Sequence, residues 1–414
     1  MRFPLCIYLL QKHRLFYASI YFVILCTINF LIIFFPTKFF FQSSPEFTTF
    51  APTSPKRFRM SPYMQKIFGW MNISNIENYK FKYYHDFSKC TLCNFTPHNP
   101  RRVRTDSFDL AFSFLIGGSL AGLQPFIQSL RTTGCLAQIV LFVDNITKAK
   151  ILEITGDFTE DCGVNLVDIG YYVKYPKRRF IYYIKHYLTS FFFNSHVNMF
   201  NRVLVSDFVD VVFQGNPFLM PWPDEENTIV MSPEYEHEGR YTYHFNMTAN
   251  GEREVGILKV FAENLGTPVN FTAYTSGEKQ YFNAGVVFTS EKLIRYHGTE
   301  ISNLVNSLTD EQFERLGKIN NRIEEQCVHN IIINERFIPN KDIYVLCDGP
   351  NHELFMMVGR RKVVQQKFPD FKYKKKTVLL YHLIHYHNYY CMSIQEKCFN
   401  TYNISNYIRC SLQY

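Results

Sequence analysis

Two acidic residues, three positions apart, follow a short apolar run near the middle of the chain. The segment Arg202 to Ser206, whose central residues Val203 to Val205 are apolar, is predicted to be a strand, and Asp207-Phe-Val-Asp210 comes directly after it. Side chains alternate between the two faces of a strand, so these carboxylates can meet only if the chain turns after Asp207. Carboxylates brought together repel one another unless a cation lies between them, and such hard oxygen ligands suit Mg²⁺ or Mn²⁺. A turn directly after Asp207 would therefore form a divalent metal site.

A structural use of the same two carboxylates is the alternative. One Asp would cap the following segment, and the other would pair with Arg202 or Arg178. The spacing alone favours this structural use, and the pattern of the surrounding residues shifts the balance to the metal.

The residues around the two acids form a distinctive sequence pattern. It reads Val203-Leu-Val-Ser-Asp-Phe-Val-Asp-Val-Val-Phe-Gln-Gly-Asn-Pro-Phe218, and much later Phe282-Asn-Ala-Gly-Val-Val-Phe288 follows. Together these runs resemble the glycosyltransferases of the GT-A fold, in particular nucleotide-sugar transferases similar to family 8. The resemblance covers roughly residues 108 to 390. It implies an α/β domain whose mixed, mainly parallel sheet is flanked by helices.

The same resemblance assigns metal ligands. Asp210 looks like the second Asp of the family's D-x-D motif, which binds metal, and Asp207 looks like the first, which touches metal and ribose. Here two residues separate the acids instead of one. His382, at the end of the last predicted strand, looks like the histidine that completes the metal shell, and a neutral imidazole suits that role. His385 is its competitor, and His387 is less favoured.

Further site residues are implied one at a time. Asn283, Ala284 and Gly285 look like the N-A-G turn that lines the donor sugar, with Gly285 allowing close backbone approach. Glu325-Gln326 resembles a D-Q pair on a helix near the acceptor, with Glu in place of Asp. The predicted catalytic residues are therefore Asp207, Asp210, Glu325 and Gln326.

Four weaker candidates lie at predicted strand ends, where open parallel sheets bind ligands. Gly117 and Gly118 follow the first strand and either wrap the nucleotide or form an ordinary turn. Asp144 follows the second strand and is a candidate for bonding the base or ribose. Glu234 follows the strand after the metal motif, where it would orient or deprotonate an acceptor hydroxyl or remain a surface acid.

Strands and helices must position these candidate site residues. The sequence alternates strand-like and helix-like runs, which indicates a parallel sheet. Predicted strands are Leu110 to Ile116, Ile139 to Val143, Val164 to Ile169, Arg202 to Ser206, Ile229 to Ser232, Ala284 to Thr289 and Val378 to Tyr381. Predicted helices are Leu120 to Leu130, a stretch from Lys148, Arg178 to Phe193, and Gln312 to Ile333. Arg178, Arg179 and Lys185 on the third helix either face solvent or stabilise the leaving group.

An uncharged stretch near the N-terminus, Leu15 to Phe35, has the length of a membrane-spanning helix. Arg2, Lys12 and Arg14 precede it, so we expect residues 1–14 in the cytosol and the rest in the lumen. A cleaved signal peptide is the alternative, but no A-x-A-like site ends the stretch.

The region beyond this stretch contains glycosylation triplets and cysteines that are typical of proteins in the secretory lumen. N-x-S/T triplets occur at Asn72, Asn94, Asn145, Asn246, Asn270 and Asn403. Nine Cys lie there, which allows up to four disulfides. Cys90-x-x-Cys93 has zinc or redox spacing, but in an oxidising compartment we expect disulfides.

The predicted layout is a tail (1–14), a membrane anchor (15–35), a Pro- and Ser-rich stem (36–105), a catalytic domain (106–390) and a Cys-containing C-terminal tail (391–414). An aromatic insertion, Tyr235 to Phe245, and a basic stretch, Arg360 to Lys376, stand out within the domain. The basic stretch is either a solvated surface or a contact with phosphates.

The amino-acid composition excludes several classes of protein. Apolar residues make up 47% and charged residues 19% of the chain, which excludes disordered and coiled-coil proteins. A net charge of +8 is too diffuse to indicate nucleic-acid binding. By the resemblance, the chain transfers a sugar, with Mn²⁺ or Mg²⁺, from a nucleotide sugar to a glycan, protein or lipid acceptor at the Golgi membrane, or in the endoplasmic reticulum. The alternatives are an inactive carbohydrate-binding or scaffold protein of the same fold and a lumenal metallohydrolase.

Overall fold

A mixed seven-stranded sheet organises the chain in the computed structural model, which describes residues 58–99, 104–118, 120–173, 182–233, 249–276, 278–319, 325–347, 355–358, 367–373, 376–382 and 388–398. The strands are β1 (Leu110–Leu115), β2 (Gln138–Val143), β3 (Val164–Asp168), β4 (Arg202–Ser206), β5 (Val211–Phe213), β6 (Thr228–Pro233), β7 (Phe282–Ser290), β8 (Tyr344–Cys347), β9 (Phe355–Val358), β10 (Lys372–Tyr373) and β11 (Lys376–His382).

The sheet has the strand order β3-β2-β1-β4-β7-β6-β8. The first four strands in this order pair in parallel, and so do β6 and β8. Strand β7 runs antiparallel to both of its neighbours, β4 and β6. The prediction of a mixed, mainly parallel sheet flanked by helices is therefore confirmed. The carboxyl ends of β1, β2, β3 and β4 all lie at one edge, where ligands bind in folds of this kind.

Helices cover the sheet on both faces. They are α1 (Pro62–Phe68), α2 (Ile73–Glu77), α3 (Leu123–Thr132), α4 (Asn145–Thr155), α5 (Phe158–Asp161), α6 (Ile184–Ser195), α7 (Ala249–Leu265), α8 (Phe271–Ser276), α9 (Glu291–Asn306), α10 (Asp310–Ile319), α11 (Glu325–Ile332) and α12 (Asn388–Lys397). Because side chains alternate along a strand, Phe112 of β1 packs in the core beneath α6, while its neighbour Ala111 packs in a second core with Phe126 of α3. Both faces are thus apolar, as parallel sheets require.

A smaller sheet lies beside the carboxyl end of β4. Strand β11 pairs antiparallel with β5 and β10 and parallel with β9. The pairing of β11 with β5 joins the end of the domain to the segment directly after the acidic pair. Gln214 strengthens this junction, since its amide bonds to the backbone of Phe371 and Val378.

Residues 58–99, which the sequence analysis assigns to a stem, pack on the domain. Met64 and Phe68 of α1 and Ile76 of α2 are fully buried in the same core as α6. Cys90 and Cys93 each form a disulfide with a distant residue, Cys162 and Cys398 respectively. The C-x-x-C pair is therefore neither a zinc site nor a redox pair, and the folded unit includes residues that sequence composition placed outside it.

Several predictions fall outside the described residues. These are the membrane helix at residues 15–35, the cytosolic tail, Arg178, Arg179, Glu234, the aromatic insertion, the triplets at Asn246 and Asn403, His385, His387 and most of the basic stretch. Within the part of the chain that the structure describes, none of the helices has the length and apolar character needed to span a bilayer.

Candidate metal centre

The predicted turn follows β4 at residues 207–210. Phe208 is buried and packs on Phe126 of α3, with ring centroids 4.6 Å apart, whereas Val209 is partly exposed. Gly122, at φ +80°, lies directly beneath the turn, and a Cβ there would come within 2.6 Å of the Phe208 carbonyl oxygen. The buried Phe208 thus anchors the turn in which Asp207 and Asp210 converge.

Strand pairing brings His382 to the same place. His382 is the last residue of β11 and pairs with Val211, the neighbour of Asp210. Its Nε2 lies 3.5 Å from Oδ2 of Asp207 and 3.5 Å from Oδ1 of Asp210. One ligand atom from each of these three residues lies within 4.8 Å of the others. The structure therefore brings together the three predicted metal ligands.

The donor set fits a divalent cation. Ligand atoms that bind one Mg²⁺ at about 2.1 Å lie at most about 4.2 Å apart, and the imidazole-to-carboxylate distances satisfy this. His382 is buried, and neither ring nitrogen has a hydrogen-bond partner among the described residues. Asp210 is also buried, but 37% of the Asp207 side chain is exposed, which leaves an open side toward solvent. An ion held here would keep coordination positions free for a ligand.

The charges around the centre also favour a cation. Asp207, Asp210 and Glu325 contribute three carboxylates, and Lys185 contributes one ammonium, so the formal charge is −2 when the imidazoles are neutral. A divalent ion would bring this charge to zero. Burial lowers the pKa of His382, but the carboxylates of Asp210 and Asp207 outweigh burial and raise the pKa to about 10. Without an ion, a proton on His382 offsets part of the negative charge.

This coupling predicts that metal affinity depends on pH. The folded pKa of His382 lies above its ordinary value of 6.5, so protonation stabilises the metal-free fold below pH 6.5, and this contribution is lost as the pH rises toward 10. An ion must displace that proton. We expect the Mn²⁺ affinity to rise by up to about tenfold per pH unit from about pH 6 to about pH 8. Titration calorimetry at several pH values measures this slope, and a flat profile would contradict it.

Gly285 lies in close contact with the metal centre. The backbone N–H of Asp207 donates to the Gly285 carbonyl oxygen at 2.6 Å, because β4 and β7 pair directly before this point. A Cβ on Gly285 would lie 2.2 Å from Cε1 of His382 and 2.8 Å from Oδ2 of Asp207. Close approach, rather than an unusual φ angle, explains why this position needs glycine.

Lys185 connects the acidic turn to β7. It is buried on α6, and its Nζ donates to the Ala284 carbonyl oxygen at 2.6 Å. The same Nζ lies 2.9 Å from Oε1 of Glu325 and 3.7 Å from Oδ1 of Asp207. Burial lowers the pKa of Lys185, but the two carboxylates raise it by more, so the ammonium stays charged. Of the two alternatives predicted for Lys185, exposure to solvent is therefore wrong.

Glu325 lies at the start of α11 with its carboxylate occupied by protein donors. Besides Lys185, His186 lies with Nε2 at 2.6 Å from Oε1 of Glu325. Since a carboxylate only accepts, His186 donates this hydrogen bond, and burial keeps the pKa of His186 below its ordinary value despite Glu325. This arrangement favours a positioning role for Glu325, and a direct catalytic role stays a prediction.

Helix α11 also holds the Asn283–Gly285 segment in place. Oε1 of Gln326 lies 3.3 Å from both the Ala284 backbone nitrogen and Nδ2 of Asn283, and it accepts from each. The N–H of Gly285 donates to Oδ1 of Asn283 at 2.8 Å. Asn330, one turn further along α11, exchanges hydrogen bonds with the backbone of Phe282. Four predicted site residues thus lie together beside the metal centre.

Gly117 and Gly118 form a left-handed turn after β1, with φ angles of +83° and +75°. Their N–H groups donate to Oδ2 of Asp144 and to Oγ1 of Thr147, at 2.6 and 2.7 Å. Asp144 is fully buried, and it also caps α4 by accepting from Ile146 and Thr147. This engagement favours a structural role for Asp144, which shapes the glycine turn, and nucleotide contacts by Gly117 and Asp144 stay predictions.

Two residues of this centre were not predicted from sequence. His186 and Asn330 both lie on helices whose described residues are largely buried, and each bonds to a predicted site residue or its neighbour. The sequence signal that points to His186 is the local composition of α6, in which Lys185 and His186 lie between the apolar Ile184 and Tyr187. A buried polar side chain needs a partner, so such residues point to a polar network.

Comparisons with known proteins add the following. No protein-family model and no curated protein matches the sequence. Among solved structures, the chain is similar to the galactosyltransferase LgtC, determined in complex with donor and acceptor sugar analogues, at 14% sequence identity and a TM-score of 0.33. The match covers 57% of this chain and 72% of that one.

Proposed function

We propose that this chain is a metal-dependent glycosyltransferase that moves a sugar from a nucleotide-diphosphate donor to a glycan, protein or lipid acceptor. The observation that carries the proposal is the convergence of Asp207, Asp210 and His382 at the carboxyl end of β4. Open positions beside two carboxylates and one imidazole suit an ion that also binds a diphosphate. A divalent cation bound there would supply electrophilic stabilisation of the departing nucleoside diphosphate.

The chain's own residues prepare this site before any ligand arrives. Lys185 fixes Asp207 relative to the Ala284 carbonyl oxygen, and Glu325 and His186 hold Lys185 in place. Gly285 leaves the space in which the ligands meet. Such preorganisation matters because the donor groups then need no rearrangement as charge develops on the leaving group.

The segment Asn283–Gly285 is the proposed wall of the donor-sugar site. Its backbone lies between the metal centre and Gln326, so a sugar attached to a metal-bound diphosphate would lie along it. Gln326 is the proposed residue on the acceptor side. Its Oε1 is already held by Ala284 and Asn283, which fixes the direction of its amide group.

Turnover of nucleotide sugars tests the proposal. The purified chain is incubated with Mn²⁺ and a panel of nucleotide sugars, with and without candidate acceptors, and released nucleoside diphosphate is measured. We expect release that a chelator abolishes and that the correct acceptor accelerates. No release from any donor would favour an inactive binding protein, and release of free sugar at a rate that no acceptor changes would favour a hydrolase.

The proposed location is the Golgi membrane, with the catalytic domain in the lumen and the endoplasmic reticulum as the alternative. Residues 15–35 are the proposed single anchor, with the N-terminus in the cytosol. The two disulfides support an oxidising compartment, since disulfides persist in the secretory pathway and are rare in the cytosol.

A further inference from the structure

Two N-x-S/T triplets begin short helices in the same way. Asn72 precedes α2, and its Oδ1 accepts the N–H of Asn75 at 3.0 Å. Asn270 precedes α8, and its Oδ1 accepts the N–H of Ala273 at 3.3 Å. Each Asn therefore caps a helix through its amide oxygen, which satisfies one of the unpaired N–H groups of the first turn.

The side-chain amide nitrogen takes no part in either helix cap. Among the described residues, Nδ2 of Asn72 and Nδ2 of Asn270 donate no hydrogen bond to the protein. Both side chains are exposed, and so are Ser74 and Thr272, the hydroxyl residues of the two triplets. An N-linked glycan attaches to Nδ2 and keeps the amide oxygen. A glycan at either position can therefore extend into solvent while the cap stays intact.

The other two triplets in the described part of the chain differ from this pair. Asn145 is exposed, but Thr147 is buried, and its hydroxyl bonds to Asp144 and to the Gly118 N–H. Asn94 is exposed, and it does not begin a helix. We therefore restrict the inference to Asn72 and Asn270. In each of these residues the amide oxygen caps the helix, and the amide nitrogen is the atom to which a glycan attaches.

We propose that Asn72 and Asn270 carry N-linked glycans. The two disulfides are an independent observation that points to the same compartment, because the oxidising secretory lumen is also where N-glycans are added. The modification is separate from the metal centre, because among the described residues neither Asn hydrogen-bonds to a residue of that centre.

Matched substitutions test the proposal in the full chain expressed in eukaryotic cells. Asn72→Asp and Asn270→Asp keep the capping oxygen, since Asp caps helices about as well as Asn, and remove the nitrogen that carries the glycan. Ser74→Ala and Thr272→Ala keep the Asn and remove the hydroxyl that glycosylation requires. The readout is the electrophoretic shift after treatment with a glycosidase, together with mass spectrometry of the two peptides.

We expect each Asp variant to lose one discrete step of the shift, the corresponding Ala variant to lose the same step, and the double Asp variant to lose both. Unmodified Asn72 and Asn270 peptides from the wild-type chain would overturn the proposal, as would Asp variants that shift like wild type. Asp210→Asn is expected to keep both glycans, so an absent glycan and an absent turnover are distinguishable results.

Discussion

Replacing Asp210 with Asn is expected to lower metal-dependent turnover of the nucleotide sugar by at least about 100-fold. Changes to residues that only support metal ligands already cost about 10- to 100-fold, so loss of a ligand should reach the upper figure or exceed it. Asp210 is buried with Oδ1 at 3.5 Å from Nε2 of His382, and Asn keeps its size while removing its charge. The measurement is the release of nucleoside diphosphate at saturating Mn²⁺.

Asp342→Asn is the matched control for this substitution. Asp342 is exposed in the turn before β8, and the change creates no N-x-S/T triplet. The same chemical change at this position should leave turnover at the wild-type rate. If Asp210→Asn instead keeps the metal-dependent rate of the wild type, the assignment of this carboxylate to the metal is wrong.

Gly285→Ala is expected to reduce turnover to a similar degree, although it removes no ligand. The added methyl group would lie 2.2 Å from Cε1 of His382 and 2.8 Å from both Nε2 of His382 and Oδ2 of Asp207. Contacts this short force at least one ligand away from the others. Displacing a reacting or binding group by about 1 Å costs on the order of 100-fold in rate. Turnover and Mn²⁺ affinity, measured together, should both fall.

A second Gly→Ala substitution separates this effect from a loss of stability. Gly134 has a φ of +71° and open space where a Cβ would lie, so Gly134→Ala strains the backbone by about 1 kcal/mol without entering the metal centre. We expect a lower unfolding temperature with unchanged turnover for Gly134→Ala. Equal turnover in Gly285→Ala and wild type would show that the ligands do not meet at Gly285.

Local pattern was sufficient to predict the elements that carry the metal ligands. The strand Arg202–Ser206 was predicted at its observed bounds, because the apolar residues Val203 to Val205 are followed closely by Asp207. The turn at residues 207–210 followed from the alternation of side chains in a strand and the spacing of the acids. His382 was implied by the resemblance to GT-A glycosyltransferases, which matched the histidine after the last predicted strand to a metal ligand. The signals for the strand and the turn are contained within a few neighbouring residues.

Long-range pairing was not predictable in the same way. Strand β5 has only three residues, and it is a strand because it pairs with β11 near the other end of the chain. Lys185 shows the same limit for a side chain, since the amphipathic pattern of a helix places a lysine in solvent. It is buried because Glu325, Asp207 and the Ala284 carbonyl oxygen surround its ammonium group.

The boundary of the folded unit shows a third case. Residues 58–99 read as a stem because they lack sustained periodicity and contain many polar residues. In the structure, a few apolar residues in short helices, such as Met64 and Phe68, fill the core beside α6, and two disulfides fix the following segment. Composition averages over a window, whereas burial here depends on single side chains.

Binding of Mn²⁺ to the metal-free chain, measured by titration calorimetry, is the most direct test of the central claim. We predict one ion per chain and an affinity that falls by about 100-fold or more in Asp207→Asn, Asp210→Asn and His382→Gln alike. Asp342→Asn should bind as the wild type does. Absence of binding to the wild-type chain, or binding that all three substitutions leave unchanged, would contradict a metal centre formed by these residues.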